Sequence, residues 1–306
     1  MGSIRHPTIA KADPVVPFRA LVTDDAEQIL RFALDGLERC AASALVTLVN
    51  VRGGAARSPG AQMAVHGDGA FCGFVSGGCT EAAVAAEALA AMAIGEDRFL
   101  HLGEGSKFFD IVLPCGGATT LFIHVVRNPG PLVAVLHALA GRAPVTLAID
   151  TCGQSVAVPH GVPPTGWSDD VFLRMFKPRT RLIVCGRGIE SDITTRLGET
   201  AGFEVIAPKS PAAFDEASID PYTAVVLLYH DLDAELPILR AALDRTPFYI
   251  GALGSSKTHS KRLEALQASG YGEEVDRIHA PIGLVKAKDA QTLGLSILAE
   301  IAASRT

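Results

Sequence analysis

Apolar and polar positions repeat with two different periods along the first half of the chain, and these periods predict where its elements lie. Residues 24–40 place apolar side chains at helical spacing, whereas residues 44–51 form a β-rich run. Further strands are predicted at residues 62–65 and 69–75, followed by an alanine-rich helix at 80–94. Together with strands at 111–113 and 120–126, this pattern predicts a small amino-terminal α/β domain.

The periodic signal weakens between residues 128 and 177. A short helix is predicted at 132–140 and two strands at 145–149 and 155–158, so we assign this part as a connecting region. The next buried strand begins just after Lys177 and Pro178. We therefore expect a domain boundary there, with one domain at residues 18–177 and a second at 178–306.

The second half of the chain alternates between buried strands and amphipathic helices. The predicted strands are residues 181–185, 204–207, 224–229 and 248–251. Helices are predicted to begin at Ile189, Ala234, Lys257 and Asp289. Strands that are buried on both faces and separated by helices are typical of a doubly wound parallel sheet, so we expect a Rossmann-like domain.

Composition narrows the possible partners. The chain has 306 residues, of which 48% are apolar, and its formal net charge is −6. An acidic chain without a basic stripe argues against a nucleic-acid partner. The most apolar stretch, residues 82–94, is too short to span a bilayer, and the first residues lack the apolar core of a signal peptide. We expect no membrane insertion and a cytoplasmic location.

Two of the six cysteines lie beside paired glycines, and none of the six forms a C-x-x-C motif. The two segments are Ser76-Gly77-Gly78-Cys79 and Cys115-Gly116-Gly117. Glycine lets another molecule approach the backbone, so the pattern suggests a cofactor or sulfur site. A tight turn with a buried thiol, and a redox pair, are the open alternatives. The predicted helix after Cys79 favours a thiolate, and Glu81 would cap that helix or carry a proton.

A third glycine-rich turn carries two guanidinium groups, those of Arg52 and Arg57. Two such groups can hold a phosphate in fork geometry, although a solvated hairpin loop would have the same composition. Combined with the two cysteine segments, the arginine turn would supply the anion-binding half of a site for a phosphorylated cofactor.

In the second domain, Gly186, Gly188 and Ser191 follow a predicted strand and open a helix, as a dinucleotide-binding turn requires. No acidic residue ends the next strand, where Lys209 stands instead, so NAD binding is disfavoured and a 2′-phosphate is an alternative. His230 and Asp231 follow a later strand, either as a general-base pair or as a structural histidine with a helix cap.

The order of several segments resembles the XdhC/CoxI family of xanthine dehydrogenase accessory factors over nearly the whole chain. The matching segments are residues 57–61, 75–81, 115–117, 249–255, 258–259 and 278–284. The resemblance implies a homodimeric maturation factor rather than an enzyme. Such a factor binds molybdenum cofactor, protects it while a cysteine desulfurase adds the sulfido ligand, and delivers it to a molybdenum hydroxylase apoenzyme.

The resemblance also implies a set of site residues. Arg57 and the amides around Ser76, Gly77, Gly78, Gly116 and Gly117 would hold the pterin and its phosphate. Cys79 and Cys115 would approach the molybdenum or its sulfur. Two departures concern the second domain, because Ile189 replaces the histidine of the family's Gly-x-Gly-His turn and Lys209 stands near the place of its acidic residue. An NAD(P)-dependent oxidoreductase that uses Gly186, Gly188 and His230, or a thiol redox protein, remains the alternative.

Overall fold

The computed structural model describes residues 15–103 and 117–305. The chain divides into two compact units, Met1–Lys177 and Pro178–Thr306, which we call unit 1 and unit 2. Both units are mixed α/β structures, as the sequence predicts. Of the described helices, none combines the length and the apolar character that crossing a lipid bilayer demands.

Unit 1 contains two sheets and three α-helices among its described residues. Its helices are α1 (Ala26–Cys40), α2 (Glu81–Ile94) and α3 (Gly130–Ala140). The strands of the first sheet are β1 (Phe18–Leu21), β2 (Ser43–Arg52), β3 (Gln62–His66), β4 (Ala70–Gly73), β5 (Arg98–Gly103) and β6 (Ala118–Val125). Those of the second sheet are β7 (Val145–Asp150), β8 (Ser155–Ala157), β9 (Gly166–Ser168) and β10 (Val171–Phe176).

The first sheet has the strand order β1-β4-β3-β2-β6-β5, and the second has the order β8-β7-β10-β9. Within the first sheet only the described pairing of β1 with β4 is parallel, and the other neighbours run antiparallel. Strand β2 lies in the middle and is buried along most of its length. It therefore contributes side chains to both faces of the sheet.

Alternate residues of β2 enter two separate apolar cores. Val46 and Leu48 pack with the alanine-rich face of α2, whereas Leu45 and Val49 pack with α1, α3 and the second sheet. This alternation follows from the two-residue period of a strand. Because alanine is small, α2 lies close to its sheet, and Ala85 and Ala88 are fully buried. The first sheet is thus covered on both faces.

Residues 128–177 contain more regular secondary structure than the sequence pattern predicts. They form α3 and the second sheet, and Phe172 and Phe176 of β10 belong to the same core as α1. Strands β9 and β10 are not predicted from the sequence, because β9 has only three residues and apolar and polar residues alternate only weakly in β10. Strands β1 and β5 were also missed, since β1 is mostly exposed and β5 follows α2 after a short turn.

Unit 2 contains the expected parallel sheet, with the order β12-β11-β13-β14-β15. Its strands are β11 (Arg181–Gly186), β12 (Glu204–Ile206), β13 (Thr223–Leu228), β14 (Tyr249–Ala252) and β15 (Ile278–His279). Its α-helices are α4 (Ile189–Thr200), α5 (Leu232–Leu243), α6 (Ser256–Gln267) and α7 (Ala290–Ala303). Strand β13 is buried on both faces: Val225 and Leu227 pack with α5 and α6, and Val226 and Leu228 pack with α4 and α7.

A shielded carboxylate joins the turn after α2 to the end of β6. Asp97 accepts hydrogen bonds from His124 Nδ1 (2.5 Å), the Val125 amide (2.9 Å) and Arg127 Nη1 (2.8 Å), and no part of its side chain is exposed. Burial alone would raise the pKa of Asp97, but these donors outweigh it and lower the pKa. The ionised carboxylate therefore stabilises the fold.

We expect Asp97→Ala to lower the free energy of unfolding by about 3 kcal/mol, because its three donors would lose a buried acceptor. Since the folded pKa lies below the unfolded value of about 3.9, the stabilisation is present above that pH and is lost as the pH falls through the folded pKa. Urea unfolding at several pH values measures both effects. Asp35→Ala, which removes an exposed helical ion pair, is the control and should cost about 0.5 kcal/mol or less.

Candidate functional site

Two glycine-containing turns and the glycine that precedes β6 lie at one edge of the first sheet. Strands β2 and β4 run in the same direction, since each is antiparallel to β3, and β6 begins where β2 ends. The turns that follow β2 and β4 and the residue that precedes β6 therefore share an edge. We call this set the turn edge; it comprises residues 53–61, residues 74–80 and Gly117.

The chain packs closely against itself where β6 begins. A Cβ atom on Gly117 would collide with the carbonyl oxygen of Gly54, so residue 117 is a glycine because the chain packs against itself there. This packing gives residue 117 a structural reason to be glycine, beside the predicted contact of its backbone with a bound molecule. A Cβ atom on Gly77 would lie 3.5 Å from Ala56 Cβ, at ordinary van der Waals distance. Cys115 and Gly116 lie outside the described residues.

The turn that carries Cys79 is held by a buried carboxylate. Glu81 is fully buried, and its Oε1 accepts hydrogen bonds from the amides of Val75 (3.2 Å) and Ser76 (2.8 Å). The Ser76 hydroxyl donates to the same carboxylate at 2.9 Å and accepts from the Gly78 amide at 3.2 Å. These bonds favour a clamping role for Glu81 over the alternative role of proton carrier.

Cys79 is exposed at the tip of this clamped turn, with its Sγ 3.8 Å from Ser76 Oγ. Gly78 next to it has a φ of 107°, a left-handed conformation that favours glycine. Helix α2 begins two residues after Cys79, and its N-cap residue Thr80 makes no side-chain capping bond. Cys79 therefore directly precedes a helix N-terminus that its N-cap side chain does not cap.

A cavity of about 430 Å³ lies beside the arginine turn. It is lined by Asp24, Ala26, Ile29, Ala56, Arg57, Ser58, Pro59, Gly60, Ala61, Gln62, Phe74 and Arg174. Phe74 belongs to the same turn as Cys79, so this cavity adjoins the clamped turn. Arg57 forms an ion pair with Asp24 (3.2 Å), and its guanidinium lies 5.5 Å from the centre of the Phe74 ring.

The second arginine of the cavity is Arg174 on β10, in place of the expected Arg52, which is exposed and does not line the cavity. Burial lowers the pKa of Arg174, and its Nε is buried without a hydrogen-bond partner among the described residues. Local sequence carries no sign of this role, because Arg174 reaches the turn only through the packing of the second sheet. Phe74 was missed as well, although it lies only two residues before Ser76.

In unit 2, Gly186 is the last residue of β11 and Gly188 directly precedes α4, which is the predicted strand-to-helix setting. Gly188 is the N-cap of α4, a Cβ atom on Gly186 would contact Leu228 of the neighbouring strand, and Ser191 is buried on the helix. Lys209 is exposed after β12, and no carboxylate follows that strand directly. The turn has the shape of a dinucleotide-binding turn but lacks the acidic residue that would hold a ribose.

Comparison with known proteins agrees with this architecture. A protein-family model described as "XdhC Rossmann domain" matches residues 182–301, and one described as "XdhC and CoxI family" matches residues 37–103. The "Molybdenum cofactor insertion chaperone PaoD" of Escherichia coli (strain K12) is 49% identical over 291 residues, which cover 94% of this chain and 92% of that protein. A probable xanthine dehydrogenase component of Bacillus subtilis (strain 168) is 23% identical, covering 85% of this chain and 92% of its own length.

A solved structure extends the likeness to the whole fold. The crystal structure of a xanthine dehydrogenase from Bacillus halodurans superposes with a TM-score of 0.72, covering 90% of this chain and 95% of the other. Its sequence identity is 19%, so this likeness shows the fold alone.

We expect Glu81→Ala to lower the free energy of unfolding by about 3 kcal/mol, because the amides of Val75 and Ser76 would lose their buried acceptor. Glu81→Gln, which keeps one acceptor oxygen, should cost less. Urea unfolding measures both changes. Glu38→Ala on an exposed face of α1 is the matched control and should change stability by about 0.5 kcal/mol or less. An equal, small effect of all three substitutions would contradict the clamp.

Proposed function

The chain belongs to the XdhC and CoxI family, and from that premise we propose that it is a molybdenum cofactor insertion chaperone. It would bind the cofactor as cargo, protect it, support its sulfuration and insert it into a molybdenum hydroxylase of the xanthine dehydrogenase or aldehyde oxidase type. The relative from Escherichia coli with 49% identity, a molybdenum cofactor insertion chaperone, supports the assignment over 94% of this chain. The protein is then a maturation factor, with no reaction of its own required.

The turn edge is the observation that carries this proposal. It presents an exposed thiol next to a cavity that contains two guanidinium groups, and Phe74 lies in both features. A thiolate is a soft ligand that suits molybdenum or its sulfur, whereas guanidinium groups suit a phosphate. The residues present thus fit a phosphorylated metal cofactor at both of its ends.

Within this site, we propose that Cys79 contacts the metal end of the cofactor. The amides of Gly77 and Gly78 flank it in a turn that the Glu81 carboxylate holds in shape, so the thiol position does not depend on a bound molecule. Cys115 and Gly116 keep the same proposed role on the basis of the family resemblance alone.

We propose that Arg57 and Arg174 bind the phosphate end of the cofactor. Asp24 neutralises part of the Arg57 charge, but the Asp24 side chain is 70% exposed, so solvent screens this ion pair. Arg174 has no comparable carboxylate among its described contacts, and its buried Nε is without a partner. A buried guanidinium with an unused donor gains most from an anion, because charge-assisted hydrogen bonds would offset its burial.

The partners follow from the proposed role. We propose that a cysteine desulfurase supplies the sulfido sulfur, that the acceptor is a molybdenum hydroxylase apoenzyme, and that the protein acts as a homodimer in the cytoplasm. Unit 2 gives the rival oxidoreductase function little support, because the strand after Gly186 and Gly188 ends without the acidic residue that nicotinamide cofactors use.

We expect Cys79→Ala to reduce bound molybdenum about tenfold or more, because mutating even a residue that only supports a metal ligand typically costs that much in metal affinity. The protein is co-expressed with the cofactor biosynthesis enzymes, purified, and assayed for metal, pterin and activation of the apoenzyme. Cys152→Ala, which removes another exposed thiol of unit 1, is the control and should leave all three values unchanged. Wild-type occupancy and activation in Cys79→Ala would refute the role of this thiol.

Replacement of either cavity arginine by methionine should weaken cofactor binding about tenfold, since a hydrogen bond to a charged group would be lost. Methionine preserves much of the side-chain volume, and urea unfolding verifies that the variants fold. Arg39→Met on α1, where the arginine side chain is 72% exposed, is the control. Unchanged affinity in both Arg57→Met and Arg174→Met would place the phosphate elsewhere.

A further inference from the structure

Unit 2 contains a second cavity, of about 360 Å³, that the proposed function does not use. It is lined by Tyr229, His230, Leu232, Glu235, Lys257, Thr258 and Lys261. Tyr229 follows β13 directly, and Lys257 and Thr258 begin α6 after β14. The cavity therefore lies at the carboxyl ends of two parallel strands, the edge where open α/β sheets bind ligands. The glycine turn after β11 contributes none of these lining residues, although Arg187 of that turn lies close enough to Tyr229 to interact with it electrostatically.

The lining of this cavity carries an excess of positive charge. Neither the Lys257 nor the Lys261 ammonium has an ion-pair partner within the part of the chain that the structure describes. Glu235, the carboxylate of the lining, is already neutralised by Arg262, and both side chains are almost fully buried. Arg262 Nη2 lies 3.1 Å from Glu235 Oε2 and donates to the Leu253 carbonyl at 2.7 Å. Two lysines thus remain uncompensated.

Tyr229 provides an independent sign of a ligand. Its side chain is 6% exposed, and its hydroxyl is buried without a hydrogen-bond partner among the described residues. Burial and the neighbouring Cys185 raise the pKa of Tyr229, so the hydroxyl keeps its proton and remains a donor. Buried polar groups are rarely left unpaired, and an oxygen atom of a bound molecule would satisfy this one.

The amino terminus of α6 adds further donors. Its N-cap residue, Ser255, accepts a hydrogen bond from the Thr258 amide at 3.2 Å, which leaves the amides of Ser256 and Lys257 at the positive end of a 12-residue helix. The nearby carboxylate of Asp231 is engaged as the N-cap of α5, where it accepts from the Asp233 amide at 3.0 Å. The first amides of α6 therefore face no carboxylate that is still available, because Glu235 and Asp231 are both already engaged.

We propose that this cavity binds the phosphate group of a small molecule. The lysine ammonium groups, the hydroxyls of Thr258 and Tyr229, and the first amides of α6 offer more donors than a carboxylate has acceptors, and phosphate can use them. The shared chemistry fits both free inorganic phosphate and a phosphate monoester. This site does not depend on the cofactor role of unit 1, so either proposal can fail without the other.

Calorimetric titration of the full-length protein tests the site, with inorganic phosphate in one arm and glycerol 3-phosphate in the other. We expect saturable binding in at least one arm, and the stronger arm identifies the source of the phosphate. Lys257→Ala and Lys261→Ala should each weaken binding about tenfold. Tyr229→Phe should weaken it several-fold without lowering the melting temperature, because it removes an unpaired hydroxyl from the folded protein.

Two controls separate this site from other cationic surfaces. Lys209→Ala removes an exposed lysine elsewhere in unit 2 and should leave the affinity unchanged. The double variant Arg57→Met/Arg174→Met removes the arginines of the unit 1 cavity and should retain the binding that Lys257→Ala weakens. The proposal is overturned if neither probe binds, if Lys209→Ala weakens binding as much as Lys257→Ala, or if binding depends only on the two arginines.

Discussion

The burial of β2 on both faces is the constraint on which the rest of unit 1 depends. Its side chains alternate between the core beneath α2 and the core beneath α1, so a shift by one residue would exchange the two sets. Strands β3 and β6 both pair with β2, and β4 pairs with β3. The register of one strand thereby decides which turns meet, and the arginine turn and the cysteine turn are neighbours for that reason.

Much of the fold follows from local patterns in the chain. Helix α2 and the parallel strands of unit 2 are recognisable because burial on one face or on two imposes a period on the sequence. The second sheet of unit 1 is different. Strand β10 is held in place by antiparallel pairing with β7 and by the burial of Phe172 and Phe176, and these long-range contacts leave no period in six residues. The sequence pattern therefore predicts only a connecting region at residues 128–177.

The residues of the candidate site also differ in how far the sequence predicts their proximity. Ser76, Cys79 and Glu81 lie within six consecutive residues, so their proximity was visible in the sequence, and the structure adds that Glu81 supports the turn. Arg174 lies far from them along the chain and lines the cavity beside Arg57 only because the second sheet packs there. Gly117 was predicted as a ligand contact from its neighbours in the sequence, and the nearby carbonyl of Gly54 adds a packing reason for a glycine there. The position of Arg174 and the need for a glycine at residue 117 both depend on tertiary packing.

The clamp on the cysteine turn has a consequence for how a cargo would leave the protein. A turn that is already ordered loses little conformational entropy when a molecule binds, so its grip is pre-organised. Opening the turn would break the hydrogen bonds to Glu81, so releasing a bound molecule by relaxation of the turn would be costly. The cofactor would then move to the receiving enzyme only if that enzyme binds it more tightly than this protein does. The affinity of the recipient would therefore set the direction of delivery.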